Sequence, residues 1–160
     1  MSHGTTIGVT SLGMSTVLEF FRIGPQHLNE MADMVNSAYR GESSRAGWTT
    51  ETDLLDGGRT DVEALSVELD TPGRCLFGVR SSESPILLGC VSLHQYQAPP
   101  STQTPGVADC FTYLGMLTVR PNSQGTGIGK FVLQQVEHFA RSQGSIRVSL
   151  GVVHLRESLI

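Results

Sequence analysis

A glycine-rich turn between a predicted strand and a predicted helix is the feature that most constrains this chain. Residues 113–119 are mostly apolar and include a β-branched threonine, which is typical of a largely buried strand. Arg120 and Pro121 end this strand, because proline lacks an N–H and fixes its φ angle. Beyond the turn, apolar residues recur at steps of three and four, which predicts an amphipathic helix ending near Gly144. The stripe consists of Ile128, Phe131, Val132, Val136, Phe139 and Ala140.

The turn itself, residues 124–129, is predicted to bind phosphate. It opens directly into the helix, where the first N–H groups lack carbonyl partners and the helix dipole is positive. Its three glycines remove the Cβ atoms that would keep an anion away, and Lys130 adds a positive charge. The P-loop pattern fails, because Gln124 and Phe131 occupy positions that require glycine and Ser or Thr. The dinucleotide-binding pattern also fits poorly, because it requires glycine at the position of Lys130.

The pattern Gln-x-x-Gly-x-Gly, formed here by Gln124, Gly127 and Gly129 after an apolar strand, resembles the coenzyme A signature of the GNAT-type N-acetyltransferases. The family's order of elements extends over residues 15–160. The resemblance implies acetyl-CoA as co-substrate and no metal. It also implies that the strand backbone hydrogen-bonds the pantetheine arm while the turn holds the pyrophosphate. The implied contacts are Leu117, Thr118 and Val119 for the arm, and Gln124, Gly125, Thr126, Gly127, Ile128, Gly129 and Lys130 for the pyrophosphate.

The patterns along the chain predict a flexible N-terminal lead over residues 1–14 and one domain over residues 15–160. Thr50 and Thr60 are placed like the N-caps of two short helices separated by Gly57 and Gly58. The resemblance implies an α/β (α+β) fold with a mixed, mostly antiparallel sheet flanked by helices. The predicted order is strand 15–23, helix to 39, two helices within 42–69, strands 74–80 and 86–96, a surface connection over 97–108, strand 113–119, helix, strand 146–152 and the start of a last helix at 154.

Three residues are candidates for the general base of direct acetyl transfer to an amine, the reaction that the resemblance implies. Tyr113 occupies the position where histone-type members carry Glu, but an unshifted tyrosine with a pKa near ~10 is a poor base. His94 has a suitable ordinary pKa, and Asp109 lies close in sequence. For each of these three residues, a purely structural role is the alternative explanation. Strand 86–96 alternates, which predicts Leu87, Gly89, Val91 and Leu93 on one side and Leu88, Cys90, Ser92 and His94 on the other.

The C-terminal region departs from the family pattern. Arg156 stands where members usually carry Asn, and the Tyr that protonates the leaving thiolate would fall beyond Ile160. We therefore expect a C-terminally truncated domain that lacks the last strands and most of the last helix. Strand 146–152 would then expose its edge. Completion by a partner chain and a degenerate coenzyme A-binding remnant are the alternatives.

Charge and cysteine usage exclude several classes of protein. The net charge of −4 speaks against a nucleic-acid-binding domain. Cys75, Cys90 and Cys110 are odd in number and widely spaced, which predicts neither a disulfide framework nor a zinc site. No apolar run approaches the ~20 residues of a membrane span, so we expect a cytoplasmic protein without membrane partners.

Three functions are compatible with these observations. The first is an N-acetyltransferase for a small-molecule amine, and the second is a catalytically impaired acetyl-CoA-binding module, alone, as a homodimer or completed by another chain. The third is a nucleotide-binding protein that uses the glycine turn. Trp48 fits either an acceptor pocket or a loop anchor. Acidic residues on the predicted acceptor side would attract a cationic amine, although a solvated helix face explains them equally well: Glu42, Glu51, Asp53, Asp56, Asp61 and Glu63.

Overall fold

The computed structural model describes residues 6–12, 16–39, 58–98 and 109–151. These residues form one six-stranded sheet in which the strands lie in chain order, together with three α-helices. All neighbouring strands pair antiparallel except the last two, which are parallel. The elements are β1 (Thr6–Leu12), β2 (Thr16–Arg22), α1 (Leu28–Tyr39), α2 (Val62–Asp70), β3 (Arg74–Ser81), β4 (Ser84–Gln97), β5 (Cys110–Val119), α3 (Ile128–Ser142) and β6 (Ser145–Leu150). The predicted mixed, mostly antiparallel α/β fold is confirmed. Within these described ranges, no helix is long and apolar enough to cross a membrane.

Strand β1 corrects the prediction of a flexible lead over residues 1–14 for residues 6–12, and the rest of that lead lies outside the described residues. Its backbone pairs antiparallel with β2, from Thr6 opposite Phe21 to Leu12 opposite Thr16. Residues 6–12 include Ile7, Val9 and two threonines, which favour extended backbone. The sequence of this strand shows no regular alternation of apolar residues. The strand forms nevertheless, because backbone hydrogen bonds to β2 do not require such a pattern.

Helices cover both faces of the sheet and bury one apolar core on each side. The α3 stripe packs on one face, against residues such as Phe20, Phe77 and Leu93. Helices α1 and α2 pack on the other face, where Met31 and Leu65 lie fully buried. All six residues of the predicted α3 stripe are buried, so that prediction is confirmed. The helix predicted from residue 25 to 39 is also confirmed, as a short 3₁₀ turn at Pro25–His27 followed by α1.

The start of α2 differs from the prediction by one residue. Asp61, rather than Thr60, is the N-cap, and its Oδ1 accepts a hydrogen bond from the Ala64 N–H at 2.8 Å. The backbone of Thr60 is held by α1 instead, since its carbonyl accepts from Asn36 Nδ2 at 2.9 Å. The other predicted short helix, with Thr50 and Trp48, lies outside the described residues.

A β-bulge in β4 reverses the alternation that the sequence predicts. Val79 of β3 lies opposite Gly89, but the next residue, Arg80, lies opposite Leu87, so Leu88 is the extra residue. As a result Leu88 packs against the α3-side core, whereas Leu87 is buried in the core under α1 and α2. The predicted grouping of Leu87 with Gly89, Val91 and Leu93 is therefore wrong.

Gly89 allows β4, β5 and the start of α3 to approach closely. A Cβ atom at this position would lie 2.9 Å from the Thr118 carbonyl oxygen and 3.3 Å from Ile128 Cγ2. The first contact involves backbone, which cannot move away without disturbing the β4–β5 ladder.

We predict that Gly89→Ala lowers the free energy of unfolding by about 1–3 kcal/mol, the usual cost of forcing extra atoms into a packed site. Gly115→Ala is the matched control, because the nearest atom to its Cβ would be Tyr113 Cε1 at 3.8 Å, an ordinary contact. Urea unfolding of both variants provides the measurement. Equal losses in the two variants would show that close approach at Gly89 is not the cause.

Candidate active site

The glycine turn joins β5 to α3 through backbone that only glycine adopts readily. A 3₁₀ turn at Pro121–Ser123 follows the strand, and then Gly125 and Gly127 take left-handed φ angles of 77° and 91°. Gly127 is the N-cap of α3, and its carbonyl accepts from the Phe131 N–H at 3.0 Å. The N–H groups of residues 128–130 therefore precede the first hydrogen bond of the helix and point out of its positive end.

Two side chains hold the turn in this shape. Gln124 Nε2 donates to the Val119 carbonyl at 3.1 Å, which folds the turn back onto the end of β5. Thr126 Oγ1 donates to the Ser123 carbonyl at 2.6 Å. The motif's Gln124 thus contributes by shaping the backbone.

The space in front of the turn fits a phosphate group. A Cβ atom on Gly125 would meet no heavy atom within 4 Å, so this side of the turn is open. A Cβ atom on Gly129 would meet only Val119 Cγ2, at 3.7 Å. The N–H groups at the α3 N-terminus are therefore accessible to an anion from this side, and phosphate binding there stays a prediction.

The second half of β5 lies free of its parallel neighbour. Pairing with β6 ends where Leu114 faces Leu150, so residues 115–119 have no partner from β6. Arg120 N–H donates to the Leu88 carbonyl of β4 at 2.9 Å. Because successive N–H groups of a strand alternate in direction, the N–H of Val119 points away from β4, toward the unpaired side. A strand-like ligand would find a backbone donor there.

Met116 forms a second bulge in the middle of this region. The ladder passes from Ser92 opposite Gly115 to Cys90 opposite Thr118, so Met116 and Leu117 together face a single residue of β4. Met116 has a φ angle of +48° and is the one non-glycine residue with positive φ in the described part of the chain. Such conformations cost on the order of 1–3 kcal/mol and concentrate at functional sites.

Tyr39, which the sequence analysis did not identify as a site residue, contacts this bulge. Its hydroxyl, at the end of α1, donates a hydrogen bond to the Leu117 carbonyl. The carbonyls of Leu117 and Val119 thus both have partners within the protein, in Tyr39 and Gln124. The predicted strand contacts to a ligand would therefore come from N–H groups. The sequence offered no signal for Tyr39, which resembled any core residue of an amphipathic helix.

Arg120 and Glu30 fix the start of the turn and were also not identified from the sequence. Arg120 Nε donates to the Leu87 carbonyl at 2.8 Å, and Glu30 Oε1 accepts from the Leu87 N–H at 2.8 Å. The two side chains face each other, with Arg120 Nη2 at 3.5 Å from Glu30 Oε1. This pair ties the first residue after β5 to the β4 bulge.

Two of the three candidate bases lie together, and the third lies apart. His94 of β4 is directly opposite Tyr113 of β5, and residues opposite each other in an antiparallel pair share a face. Asp109 precedes β5, and its carbonyl accepts from Ala98 N–H at 2.9 Å. Along the strand, Tyr113 is roughly 10 Å from Met116, at ~3.3 Å per residue. His94 and Tyr113 therefore border the bulge region without lying at its centre.

Two other features of the described residues do not belong to this site. No group of three or more His, Cys, Asp or Glu side chains within the described ranges could hold a metal ion. A groove of about 280 Å³ lies between α3 and β6, lined by residues including Glu137, Arg141 and Ile146. It lies beside the C-terminal half of α3, at the opposite end of that helix from the glycine turn.

The sequence and the fold both match known proteins. A sequence profile described as "Acetyltransferase (GNAT) family" matches residues 28–158. A tetramutant of the BH1408 protein from Bacillus halodurans has a similar structure, with a TM-score of 0.69 and 14% identity over 88% of this chain and 86% of that one. The search of curated protein sequences gave no match.

Two named acetyltransferases share the fold as well. The aminoglycoside acetyltransferase meta-AAC0020 from an uncultured soil metagenomic sample, solved with sisomicin, has a TM-score of 0.62 and 15% identity, covering 89% of this chain and 82% of that one. Glucosamine-6-phosphate N-acetyltransferase from Arabidopsis thaliana has a TM-score of 0.60 and 9% identity, covering 89% and 86%. At these identities the likeness concerns the fold.

Cys90, beside Thr118 in the β4–β5 ladder, gives the site region a predicted pH dependence. Burial raises the pKa of the Cys90 thiol from 9.0 to about 12, and a hydrogen bond with Thr118 opposes this only in part. The folded state therefore favours the neutral thiol, and its contribution to stability is complete below pH 9.

We predict that stability is lost as pH rises from about 9 toward 12, because the unfolded thiol ionises first. Urea midpoints measured at about pH 8 and about pH 10.5 should fall more in the wild-type chain than in Cys90→Ala. Parallel declines in the two proteins would contradict this assignment.

Proposed function

Because this chain belongs to the GNAT acetyltransferase family, we propose that it transfers the acetyl group of acetyl-CoA to the amine of a small molecule or amino compound. The observation that carries the proposal is the open glycine turn at the start of α3, next to the unpaired half of β5. The name of the Arabidopsis thaliana structure supports an amine as acceptor.

Residues of β5 and α3 would hold acetyl-CoA, which supplies the activated acetyl group. Gly125 and Gly129 leave space for the pyrophosphate at the N–H groups of residues 128–130, and Lys130 adds a positive charge nearby. The Val119 N–H points to the unpaired side of the strand, where it can donate to a carbonyl oxygen of the bound co-substrate. The bulge at Met116 changes the direction of β5 between Gly115 and Thr118, while the strand stays paired with β4.

The acceptor amine must be neutral to react, so a group that takes up its proton assists the transfer. We propose His94 for this role, with Tyr113 beside it, because both face the side of the sheet that α1 and α2 cover. A water molecule could relay the proton across the distance to the bulge. Asp109 is less suited, because it lies four residues before Tyr113, at the end of β5 away from the bulge.

We also propose a reducing compartment such as the cytoplasm. Cys75, Cys90 and Cys110 are all free thiols in the structure. Cys75 and Cys90 are buried, and Cys75 accepts a hydrogen bond from Arg22 at 2.8 Å, which gives it a structural role as a thiol. Disulfide formation would remove such contacts.

A second candidate function is an acetyl-CoA-binding module completed by a partner chain. It is favoured by the exposure of Ile146 and Leu150, at 66% and 51%, on the outermost described strand β6. An exposed apolar edge strand favours pairing with another strand. Sedimentation of the purified chain, alone and with acetyl-CoA, would reveal self-association; a monomer at all concentrations would exclude a homodimer.

Substitution of Gly125 in the turn should abolish co-substrate binding, and it should lower stability no more than the same substitution at Gly144. Gly125 and Gly144 have φ angles of 77° and 74°, and neither would bring a new Cβ within 4 Å of another atom. Both alanine variants should therefore lose about 1 kcal/mol of stability through backbone strain. In Gly125→Ala alone, the methyl group would also occupy the phosphate space.

In a thermal-shift titration, we expect acetyl-CoA at ~100 times its Kd to raise the stability of the wild type and Gly144→Ala by about 2.7 kcal/mol. Gly125→Ala should show little shift at the same concentration. ATP and NAD serve as controls for the nucleotide-binding alternative. An equal response to acetyl-CoA in both variants would refute the assignment of the turn.

Acetyl transfer itself is tested by the release of free coenzyme A thiol from acetyl-CoA in the presence of a broad panel of amines. We expect amine-dependent release by the wild-type chain and a strong decrease in Gly125→Ala, because the co-substrate no longer binds. Specific binding of acetyl-CoA without release with any amine would favour the binding module.

A further inference from the structure

Four aromatic side chains lie on one face of β4 and β5, and we call them the aromatic row: His94, Tyr96, Phe111 and Tyr113. Ring contacts join the first three, and Tyr113 faces His94 across the two strands. His94 lies opposite Tyr113, and Tyr96 lies opposite Phe111. The ring centroids of His94 and Tyr96 are 5.8 Å apart, and those of Tyr96 and Phe111 are 5.5 Å apart. Both distances are within the range of attractive ring contacts.

The aromatic row lies on the side of the sheet where an acceptor would enter. Ser92, two residues before His94 on the same strand, donates to Glu68 of α2 at 2.6 Å. The row is therefore on the face covered by α1 and α2, opposite to α3. Tyr96 and Tyr113 are 39% and 42% exposed, although large aromatic side chains in a sheet normally pack into a core. Exposed rings side by side indicate a binding surface.

Strand β5 connects the row directly to the proposed site of transfer. Gly115 follows Tyr113 on the same face and lies opposite Ser92, and the bulge at Met116 comes next. The distance from Tyr113 to Met116 along the strand is roughly 10 Å. A small molecule can span it, with one end on the row and the other at the bulge.

Charges at the two ends determine the orientation of such a molecule. The Glu68 carboxylate lies at the bulge end through its contact with Ser92, although it also pairs with Arg74 at 3.3 Å. At the other end, the Arg147 guanidinium lies 4.8 Å from the Phe111 ring centroid. A protonated amine is repelled by Arg147 at the Phe111 end, whereas at the bulge end the positive charge of Arg74 is compensated by Glu68. The amine end therefore points to the bulge, and the uncharged end lies on the row.

We propose that the aromatic row is the acceptor subsite and that the acceptor is a primary amine carrying an aromatic ring. The ring stacks on Tyr113 and its neighbours, and the amine reaches the bulge. This inference rests on the proposed acetyl transfer, but it predicts a binding preference that can be measured without turnover.

The test compares two amines on the full chain, 4-phenylbutylamine and 4-cyclohexylbutylamine, which match in length and charge and differ in the π face. We expect the wild type to favour the phenyl compound about threefold to tenfold in kcat/KM, in line with the measured strength of ring pairs. Tyr113→Leu should bring the ratio close to one. Using a ratio cancels any loss of catalysis that affects both amines equally. Leu133→Ala is the control, since Leu133 is 38% exposed on α3, across the sheet, and the ratio should not change.

Ligand-observed NMR with the same two amines, in the presence of acetyl-CoA, measures binding alone. Tyr96→Leu serves as a second variant in case Tyr113→Leu fails to fold. A phenyl preference that either variant removes, even without release of coenzyme A, supports the subsite while refuting the proposed function. Efficient transfer with a ratio near one supports the proposed function and overturns the subsite. The subsite is also overturned if neither amine binds, or if the preference persists in both variants.

Discussion

The close packing of α3 across β4 and β5 is the interaction on which the other features depend. Six buried residues on one stripe fix the helix against the sheet, and Gly89 allows its first turn to come within contact distance of the strand backbone. The chain must pass from Val119 to Ile128 in a short space, which requires the left-handed glycines of the turn. The N-terminal N–H groups of α3 therefore meet the end of β5 as a consequence of core packing. The proposed phosphate binding at this place would rest on backbone groups and would need few specific side chains.

The two halves of strand β5 have different neighbours, and only the second half belongs to the proposed co-substrate site. Residues 110–114 pair on both sides, with β4 and β6, and are held as any central strand. From Gly115 onward, β4 is the one paired neighbour within the described residues, and the bulge at Met116 turns the backbone. The hydrogen bond from Tyr39 to the Leu117 carbonyl gives the strained segment a partner. A residue of α1 thus stabilises the strained segment. Helix α1 lies on the opposite side of the sheet from α3, the helix that follows the glycine turn.

The parts of the structure that the sequence predicted are those governed by local rules. The α3 stripe, the turn and the β3–β4 hairpin follow from periodicity, from glycine and proline, and from turn residues. The parts it could not predict depend on partners distant in sequence. Leu88 bulges because of its pairing with β3, and Tyr39 reaches Leu117 across 78 positions of sequence. No local pattern distinguishes Tyr39 from an ordinary core tyrosine, and β1 gains its order from β2.

The two halves of the candidate site also differ in whether they depend on local sequence or on partners distant in sequence. The co-substrate side consists of backbone groups whose positions depend on glycine, and these are readable as a motif. The acceptor side consists of side chains that the β4–β5 register brings together, such as His94 opposite Tyr113. A shift of β5 by one residue against β4 would place its rings, Phe111 and Tyr113, on the α3 face, in the core. The bulges at Leu88 and Met116 lie outside the paired stretch from Ser92 to Gln97, so the register of that stretch determines which side chains of β4 and β5 face the proposed acceptor.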